Sequence, residues 1–414
     1  MSGAQESKKQ LISRPDYDTD SSTIRNDAEA SKLQVVSRKA ETARGDLKNS
    51  TEASRADMRS LVEALVKFGA SDLHLKAGRP PLYRVAGSLI PARVPDLSAD
   101  QLKSYIGALM SDRQARDLEE RRSVDFSFTV GQTGRFRCNI YFQRGQLAAA
   151  IRAIPLETPN IDVLGVPEIA KNLVQKSSGL LIISGATGMG KTTTLAGLIQ
   201  HLNETQANHI LTLEDPIEFV FSDVQSTISQ REIGLDTPSF EEGLNSALRQ
   251  DPDVIVIGEL RDRRMIEIAL SAAETGHLVI ATLHTSNARG TIDRIVDVFP
   301  IEAKNQVRIQ LASALVGIIA QQLIPSVEPK KRVLATEVLV KSPHVEQLII
   351  RNELDLLDDA ISSSNSYYHM QTMNQSLERL LRSGRITEDV AIHSSPSPED
   401  LRLTLAGMTR DRKR

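Results

Sequence analysis

The sequence feature that most constrains this chain is a glycine-rich loop between a predicted strand and a predicted helix. The loop reads GATGMGKT over residues 185–192 and matches the pattern G-x-x-x-x-G-K-[ST]. The apolar run LLIIS precedes it directly, and a helical pattern follows it. Glycines let backbone N–H groups turn towards phosphate oxygens, and the helix N-terminus adds a partial positive charge. The loop therefore predicts a site for the phosphates of a nucleotide.

The loop and the residue after it are the predicted nucleotide-binding set: Gly185, Ala186, Thr187, Gly188, Met189, Gly190, Lys191, Thr192 and Thr193. In loops of this kind the lysine bridges the β- and γ-phosphates, and the hydroxyl after it holds Mg²⁺. We therefore expect Lys191 to bind ATP and Thr192 to be the magnesium ligand. A chance match on a glycine-rich turn is the alternative, and the strand before the loop and the helix after it argue against that alternative.

Short apolar runs alternate with longer helical patterns in the second part of the chain. The runs are GLLIIS, HILTL, DVIVIG and HLVIAT. They are continuous rather than alternating, which is typical of parallel strands that are buried on both faces. This alternation of strand and helix predicts a doubly wound α/β domain.

Polar side chains follow three of these runs, at the strand ends where ligands bind in such sheets. Glu259 follows DVIVIG, and we expect it to orient or deprotonate the attacking water. Glu214 and His284 follow HILTL and HLVIAT, where they could contact metal-bound water or the γ-phosphate. The alternatives are a surface carboxylate for Glu259 and a capping or core histidine for His284. His277 lies at the other end of the same run. For this histidine, a functional role and a structural role both stay open.

The chain before this domain has a different character. Residues 1–56 are polar and lack a sustained apolar period, so they predict a mostly disordered arm in which only short helices near 27–43 fit the pattern. Residues 57–154 predict an α+β unit with an opening helix, two strands around an Ala86-Gly87 turn, two helices with Ser98 and Ser111 as caps, and three more strands.

Two further segments complete the predicted organisation. The proline-rich residues 155–165 predict a linker. Residues 166–414 contain the α/β domain and end in several short helices from about residue 343, the last starting at Ser397-Pro398.

Composition excludes several classes of protein. The net charge is −3, tryptophan is absent and aromatics make up 4% of the 414 residues, so no basic, stacking surface for nucleic acid is expected. The single cysteine, Cys138, cannot form an intrachain disulfide or a cysteine-only zinc module. A reducing cytosol fits this cysteine content. No run of about 18 apolar residues occurs, so we expect membrane contact only through partners.

Taken together, the motifs resemble one family: the secretion ATPases of type II and type IV pilus systems, and within it the retraction branch. The similarity covers over three quarters of the chain. It rests on the ordered set ASDLHL, GRFRCN, GATGMGKTTTLA, TLEDPIEF, ALRQDPDVIVIGELRD and ETGHLVIATLHT. One segment departs from the retraction branch, because residues 344–353 read HVEQLIIRNE where an AIRNLIRE motif is usual.

The resemblance implies a PAS-like N-terminal domain, a RecA-like ATPase domain and a homohexameric ring with ATP between subunits. The family's arginine fingers match Arg135, Arg137 and Arg152. Its Asp-box acid, catalytic glutamate and His-box histidine match Glu214, Glu259 and His284. Arg135 and Arg137 also alternate along a predicted strand and so share one face. Surface arginines on an edge strand are the alternative interpretation.

The function implied is a cytoplasmic ATPase motor at the inner face of the cytoplasmic membrane, which drives pilus retraction through an inner-membrane platform protein. Pilus-assembly and type II secretion ATPases of the same family are the first alternative. They usually carry a longer N-terminal region and a four-cysteine module, which one cysteine cannot build. A DNA-handling RecA-like ATPase, a regulatory subunit that does not hydrolyse ATP, and an accessory retraction paralogue are the others.

Overall fold

The computed structural model describes residues 50–131, 133–154 and 157–407, with side chains from residue 57 onward. Within it the chain forms two compact units, one ending at Ile154 and one following it. Most of the predicted arm, including the short helices near 27–43, lies outside the described residues.

The first unit combines one antiparallel sheet with three helices. The helices are α1 (Ser50–Lys67), α2 (Ala99–Leu109) and α3 (Asp112–Arg121), and the strands are β1 (Asp72–Lys76), β2 (Leu82–Val85), β3 (Ser88–Pro91), β4 (Ser123–Val130), β5 (Gly134–Gln143) and β6 (Gln146–Ile154). The strand order is β3-β2-β1-β6-β5-β4. The elements follow the predicted order, but α1 begins at Ser50 rather than near residue 57. Its first residues, STEASRA, contain no glycine or proline, so nothing in them stops the helix.

Local signals in the first unit act as the sequence indicated. Ser98 and Ser111 each form a capping box, in which the serine hydroxyl accepts from a backbone N–H and a glutamine three residues later accepts from the serine N–H. Ala86 and Gly87 both have positive φ, at 48° and 88°, which matches the tight hairpin turn between β2 and β3.

The core of the first unit lies between the helices and one face of the sheet. Leu65 of α1 and Ile106 of α2 pack in one cluster with Phe136, Cys138 and Ile140 of β5. These β5 residues alternate with more exposed ones, as a strand with one covered face should. The other face of β5 therefore carries the polar side chains, including the arginines predicted to act in catalysis.

The second unit is built on a seven-stranded sheet in the order β13-β12-β7-β11-β10-β8-β9. Its strands are β7 (Gly179–Ser184), β8 (His209–Glu214), β9 (Thr227–Glu232), β10 (Val254–Ile257), β11 (Leu278–Leu283), β12 (Leu315–Pro325) and β13 (Arg332–Val340). All neighbouring pairs are parallel except β12 and β13. The α/β class and the four predicted strands are confirmed.

Helices cover the sheet and form the end of the second unit. They are α4 (Ile169–Val174), α5 (Lys191–Thr205), α6 (Phe240–Ala247), α7 (Arg263–Glu274), α8 (Ala288–Asp297), α9 (Ile301–Ala314), α10 (Pro343–Arg351), α11 (Leu357–Ser363), α12 (Asn365–Tyr368), α13 (Met373–Arg382), α14 (Glu388–Ser394) and α15 (Pro398–Leu405). The short helices expected after residue 343 are present, and the last begins at Pro398 after Ser397. Within the described residues, none of these helices is long and apolar enough to cross a membrane.

Three strands of the second unit were not anticipated. β9 reads TISQRE and lies at the edge of the sheet, so it lacks the apolar run of a central strand. β12 begins directly after Ala314, the last residue of α9, so no turn residue separates helix from strand. The two glutamines at 321 and 322 interrupt its apolar run, and β13 follows as its antiparallel partner.

Part of the predicted linker packs against the second unit. Ile161–Val163 form a 3₁₀ helix, and Ile161 is buried in the same cluster as Leu198 of α5. A Cβ on Gly197 would lie 3.2 Å from Ile161 Cδ1, so the glycine lets this segment approach the helix closely. The second half of residues 155–165 is therefore a packed segment rather than a loose connection.

Candidate functional site

The glycine-rich loop lies at the carboxyl end of β7, in the middle of the sheet. β7 ends at Ser184 and α5 begins at Lys191, so residues 185–190 connect strand to helix and the last two residues of the loop motif open α5. Strand β11 lies on one side of β7 and β12 on the other. The loop is thus placed between the strand that leads to His284 and a strand the sequence did not predict.

Two glycines of the loop lie close to β12 and have positive φ. Gly185 has φ 152°, and a Cβ there would lie 2.6 Å from the carbonyl oxygen of Gln321. Gly190 has φ 82°, and its Cβ would lie 3.1 Å from Leu323 Cδ1. The sequence pattern assigned these glycines to phosphate binding, and the structure adds a packing reason for them.

Lys191 is buried at the start of α5 and its ammonium is fully engaged. Its Nζ donates to the carbonyl oxygens of Gly185 at 2.7 Å and Ala186 at 3.2 Å. It also lies 3.3 Å from His284 Nδ1. Burial lowers the pKa of Lys191, while the carboxylate of Glu259 acts in the opposite sense. A phosphate at this site would compete with the two carbonyls for the ammonium.

His284 connects Lys191 to Glu259. An ammonium has only donors, so Nδ1 of the imidazole is the acceptor of the Lys191 contact and the ring proton is assigned to Nε2. That Nε2 lies 3.2 Å from Glu259 Oε1. Thr187 Oγ1 of the loop lies 3.5 Å from Nδ1. Lys191, His284 and Glu259 therefore form one connected group, and Thr187, also a predicted site residue, contacts it through His284.

Glu259 has a second partner that the sequence analysis did not assign. Arg261 Nε donates to Glu259 Oε2 at 2.9 Å, and its Nη1 donates to Asp215 Oδ2 at 3.2 Å. Both carboxylate oxygens of Glu259 are thus held, one by His284 and one by Arg261. The neighbouring Asp262 is a helix cap, since it accepts from Met265 N at the start of α7.

Glu214 lies at the end of β8, at the same edge of the sheet. Its Oε1 accepts from Thr212 Oγ1 at 2.7 Å and from Gln230 Nε2 at 3.0 Å. Burial raises the pKa of the Glu214 carboxyl, and the two hydrogen bonds act in the opposite sense. Its bonds go to Thr212 of β8 and Gln230 of β9 and not to the group formed by Lys191, His284 and Glu259.

The three predicted arginine fingers lie in the first unit. Arg135 and Arg137 are on β5 and Arg152 is on β6, with Arg137 and Arg152 directly paired across the strands. Asp72 of β1 accepts from Arg152 Nε at 2.8 Å. Burial of Asp72 tends to raise its pKa, but hydrogen bonds from Ser71 and Arg152 lower it overall. The edge-strand alternative is wrong for β5, because β4 and β6 flank it.

Residues of the β12–β13 hairpin also contact the loop, and the sequence analysis missed them. Gln321 Nε2 donates to the carbonyl oxygen of Met189 at 2.7 Å, and Leu323 N lies 3.3 Å from Met189 Sδ. Arg332 Nη1 donates to the carbonyl oxygen of Gly188 at 3.3 Å. The available signal was a glutamine inside the apolar run of residues 315–325, which does not by itself indicate a contact with the loop.

Glu337 of β13 supports the segment that follows His284. Its Oε1 accepts from Ala288 N at 2.7 Å, at the first turn of α8. The side chain is buried, and burial raises its pKa to about 7. Asn287 caps the same helix by accepting from Gly290 N. The segment that contains His284 therefore runs from the end of β11 to the first turn of α8, and Glu337 of β13 fixes that first turn.

The described residues contain no group of three or more His, Cys, Asp or Glu arranged to hold a metal ion. The residues present fit a metal that is bound jointly with a nucleotide. Thr192 is in the first turn of α5, beside Lys191, where a hydroxyl can reach a cation held by phosphate oxygens.

Comparisons with known proteins agree on one family. A family model described as type II/IV secretion system protein matches residues 49–387. The chain is 42% identical over 344 residues to the type IV pilus retraction ATPase PilT of Pseudomonas aeruginosa, covering 83% of this chain and 99% of that protein. It is 38% identical over 349 residues to the type IV pilus ATPase PilU of the same organism, covering 84% of this chain and 91% of PilU.

A solved structure matches as well. The crystal structure of the pilus retraction motor PilT with bound ADP is similar with a TM-score of 0.78 and 44% sequence identity. The match covers 83% of this chain and 98% of that chain. The family match extends across both compact units.

Proposed function

This chain belongs to the type II/IV secretion system protein family, and we propose that it is an ATPase motor that powers retraction of a type IV pilus. The observation that supports this best is the connected group of Lys191, His284 and Glu259 beside the glycine-rich loop. It joins a phosphate-binding cation to a carboxylate able to activate water. The similarity to a retraction ATPase over nearly that protein's full length supports the direction of the work.

Nucleotide binding would begin with an exchange of partners at Lys191. Its ammonium leaves the carbonyls of Gly185 and Ala186 and binds phosphate oxygens, where the opposite charge makes a stronger hydrogen bond. Backbone N–H groups of the loop and the start of α5 complete the phosphate site. Thr192 would hold a Mg²⁺ ion bound together with ATP, which would neutralise part of the phosphate charge.

Hydrolysis requires Glu259 to accept a proton from water. Both of its oxygens have partners, His284 on Oε1 and Arg261 on Oε2. One of these contacts must open before water can bind the carboxylate. Withdrawal of Lys191 towards phosphate frees Nδ1 of His284, so the imidazole can turn and release Oε1. In this scheme ATP binding and activation of Glu259 are coupled through His284, while Glu214 holds the neighbouring strand end.

The assembly is a homohexamer in our proposal, with a PAS-like first unit and a RecA-like second unit. Arg135, Arg137 and Arg152 would act on the nucleotide of a neighbouring subunit and stabilise the charge that develops on its phosphates. The ring would work on the cytoplasmic side of the inner membrane and reach the pilus through a platform protein. A second candidate is another ATPase of the type IV pilus, such as an accessory paralogue, and the 38% identity to the type IV pilus ATPase PilU over 84% of this chain is compatible with it.

The test is ATPase activity in the hexamer fraction from size-exclusion chromatography. Wild-type protein should hydrolyse ATP in that fraction, and Lys191→Ala should remain folded and lose turnover. Absence of turnover from wild-type hexamers would reject the proposed activity. Retained turnover in Lys191→Ala would reject the assignment of the loop.

A further inference from the structure

The side chain of Gln321 is buried but only half satisfied. It is 2% exposed, and its Nε2 donates to the Met189 carbonyl oxygen at 2.7 Å. Its Oε1 is buried without a hydrogen-bond partner in the part of the chain that the structure describes. A buried polar atom without a partner destabilises a fold. Gln321 therefore contributes little to stability, and its contact with the loop is the feature that needs an explanation.

The Met189 carbonyl matters because of the peptide bond it belongs to. The Met189-Gly190 peptide is trans, since the only cis bond among the described residues is Asp215-Pro216. In a trans peptide the C=O and the following N–H point in opposite directions. When Gln321 holds the Met189 oxygen against β12, the N–H of Gly190 must therefore face the other side of the loop.

Other contacts keep the loop in this orientation. Gln321 and Leu323 lie two residues apart on β12 and so face the same side. Leu323 N contacts the Met189 sulfur at 3.3 Å, which holds the side chain as well as the backbone of that residue. Gly190 also lies close to the same strand, since a Cβ there would lie 3.1 Å from Leu323 Cδ1. These contacts with β12 therefore fix the orientation of the loop.

We propose that Gln321 is a positioning residue for the nucleotide: it turns the Gly190 N–H towards the phosphate chain of ADP and ATP. This inference rests on the proposed function, since it assumes that the loop binds a nucleotide. Gln321 itself does not touch phosphate in this scheme. It acts through Met189, and it belongs to a strand 132 residues away in sequence.

The experiment compares four full-length proteins: wild type, Gln321→Met, Gln321→Glu and Gln322→Met. Methionine is close to glutamine in size but cannot donate a hydrogen bond to the Met189 oxygen. Glutamate keeps the shape of glutamine, but its ionised carboxylate repels that oxygen. Gln322 is the matched control, because alternation along β12 directs it to the other face. Binding is measured by titration with a fluorescent ADP analogue, mant-ADP, and stability by melting temperature without nucleotide.

We expect both Gln321 variants to bind mant-ADP about tenfold more weakly, as the loss of one well-placed hydrogen bond implies. The KM for ATP should rise by a similar factor while kcat changes little, because Glu259 and His284 are untouched. Gln321→Met should melt at or above the wild-type temperature, and Gln322→Met should bind as wild type does.

Wild-type affinity in both Gln321 variants would overturn the proposal. Failure of both variants to fold would also overturn it, since Gln321 would then be a structural residue. If wild-type protein does not bind mant-ADP, the proposed function itself fails. Absence of binding in the wild type would thus reject the proposed function, whereas wild-type binding in the Gln321 variants would reject only the positioning role of Gln321.

Discussion

His284 Nε2 lies 3.2 Å from Glu259 Oε1, and the other nitrogen of the same imidazole lies 3.3 Å from Lys191 Nζ. One side chain therefore contacts both the lysine of the glycine-rich loop and the carboxylate proposed to activate water. The two contacts use opposite properties of the ring, an acceptor nitrogen towards lysine and a donor nitrogen towards glutamate. In the proposed mechanism, this geometry lets His284 couple phosphate binding to water activation.

His284→Ala should lower kcat by about a hundredfold, the lower end of the range for loss of a group positioned for proton transfer, because Glu259 loses the side chain that couples it to Lys191. ADP affinity should change much less, because Lys191 keeps its access to phosphate. The measurement is steady-state ATPase kinetics together with mant-ADP titration. His277→Ala is the control, since His277 lies before β11 at its other end and contacts Ala272. An equal loss of activity in both variants would contradict a specific role for His284.

Glu259→Gln should bind ATP but hydrolyse it very slowly. The amide keeps the size of the side chain but cannot accept a proton from water. Filter binding of labelled ATP and single-turnover hydrolysis separate the two steps. Glu267→Gln is the control for the loss of one carboxylate. Glu267 lies on α7 and forms an ion pair with Arg263 of the same helix. If Glu259→Gln lost nucleotide binding instead, Glu259 would be structural rather than catalytic.

Arg137→Ala and Arg152→Ala should reduce activity only through the neighbouring subunit. Rings mixed from Arg152→Ala and Lys191→Ala subunits contain some sites that combine an intact loop with an intact arginine, so part of the activity should return. Arg144→Ala, an arginine between β5 and β6 outside the proposed set, is the control. No recovery in rings shown to be mixed would count against action between subunits.

Glu337→Gln should stabilise the protein more at high pH than at low pH. The folded-state pKa of Glu337 is raised to about 7 from 4.5, so ionising this buried carboxyl disfavours the fold as pH rises through that interval. Above pH 7 the ionised form destabilises wild type by about 3 kcal/mol, because one pKa unit corresponds to about 1.4 kcal/mol. Glutamine does not ionise and avoids this penalty.

The measurement is the difference in melting temperature between Glu337→Gln and wild type at pH 5, 7 and 8.5. The variant's melting temperature should rise relative to that of wild type as pH rises. The pH dependence contributed by other titrating groups cancels in this difference, because both proteins contain those groups. Glu346→Gln, a half-exposed carboxyl on α10, removes the same charge as a control. A difference that does not vary with pH would contradict burial as the dominant influence on Glu337.

Deletion of the gene should leave cells with surface pili, in normal or increased number, and without twitching movement. Assembly and retraction motors share the same active-site motifs, so this prediction rests on the similarity to a retraction ATPase over 99% of its length. Electron microscopy of pili and a twitching assay on agar test it. Cells without pili would reverse the direction and make the chain an assembly motor.

The central part of the fold was predictable because its signals are local. Continuous apolar runs identified β7, β8, β10 and β11, and serine caps identified the starts of α2 and α3. Strands β9, β12 and β13 were missed for different reasons. β9 is a polar edge strand, and β12 follows α9 without a turn and contains two polar residues. Neither pattern resembles a buried parallel strand.

The sequence by itself determined that the chain carries a glycine-rich loop of the pattern G-x-x-x-x-G-K-[ST], an α/β domain and polar residues at three strand ends, because each depends on spacing within a few residues. Only the tertiary structure decided which distant residues meet. Gln321 reaches Met189 because β12 lies beside β7, and Glu337 reaches Ala288 because β13 lies beside β12. Strand order follows from the packing of the whole sheet, so no local pattern contains it. The residues that orient the loop and the His284 segment became visible only once that order was known.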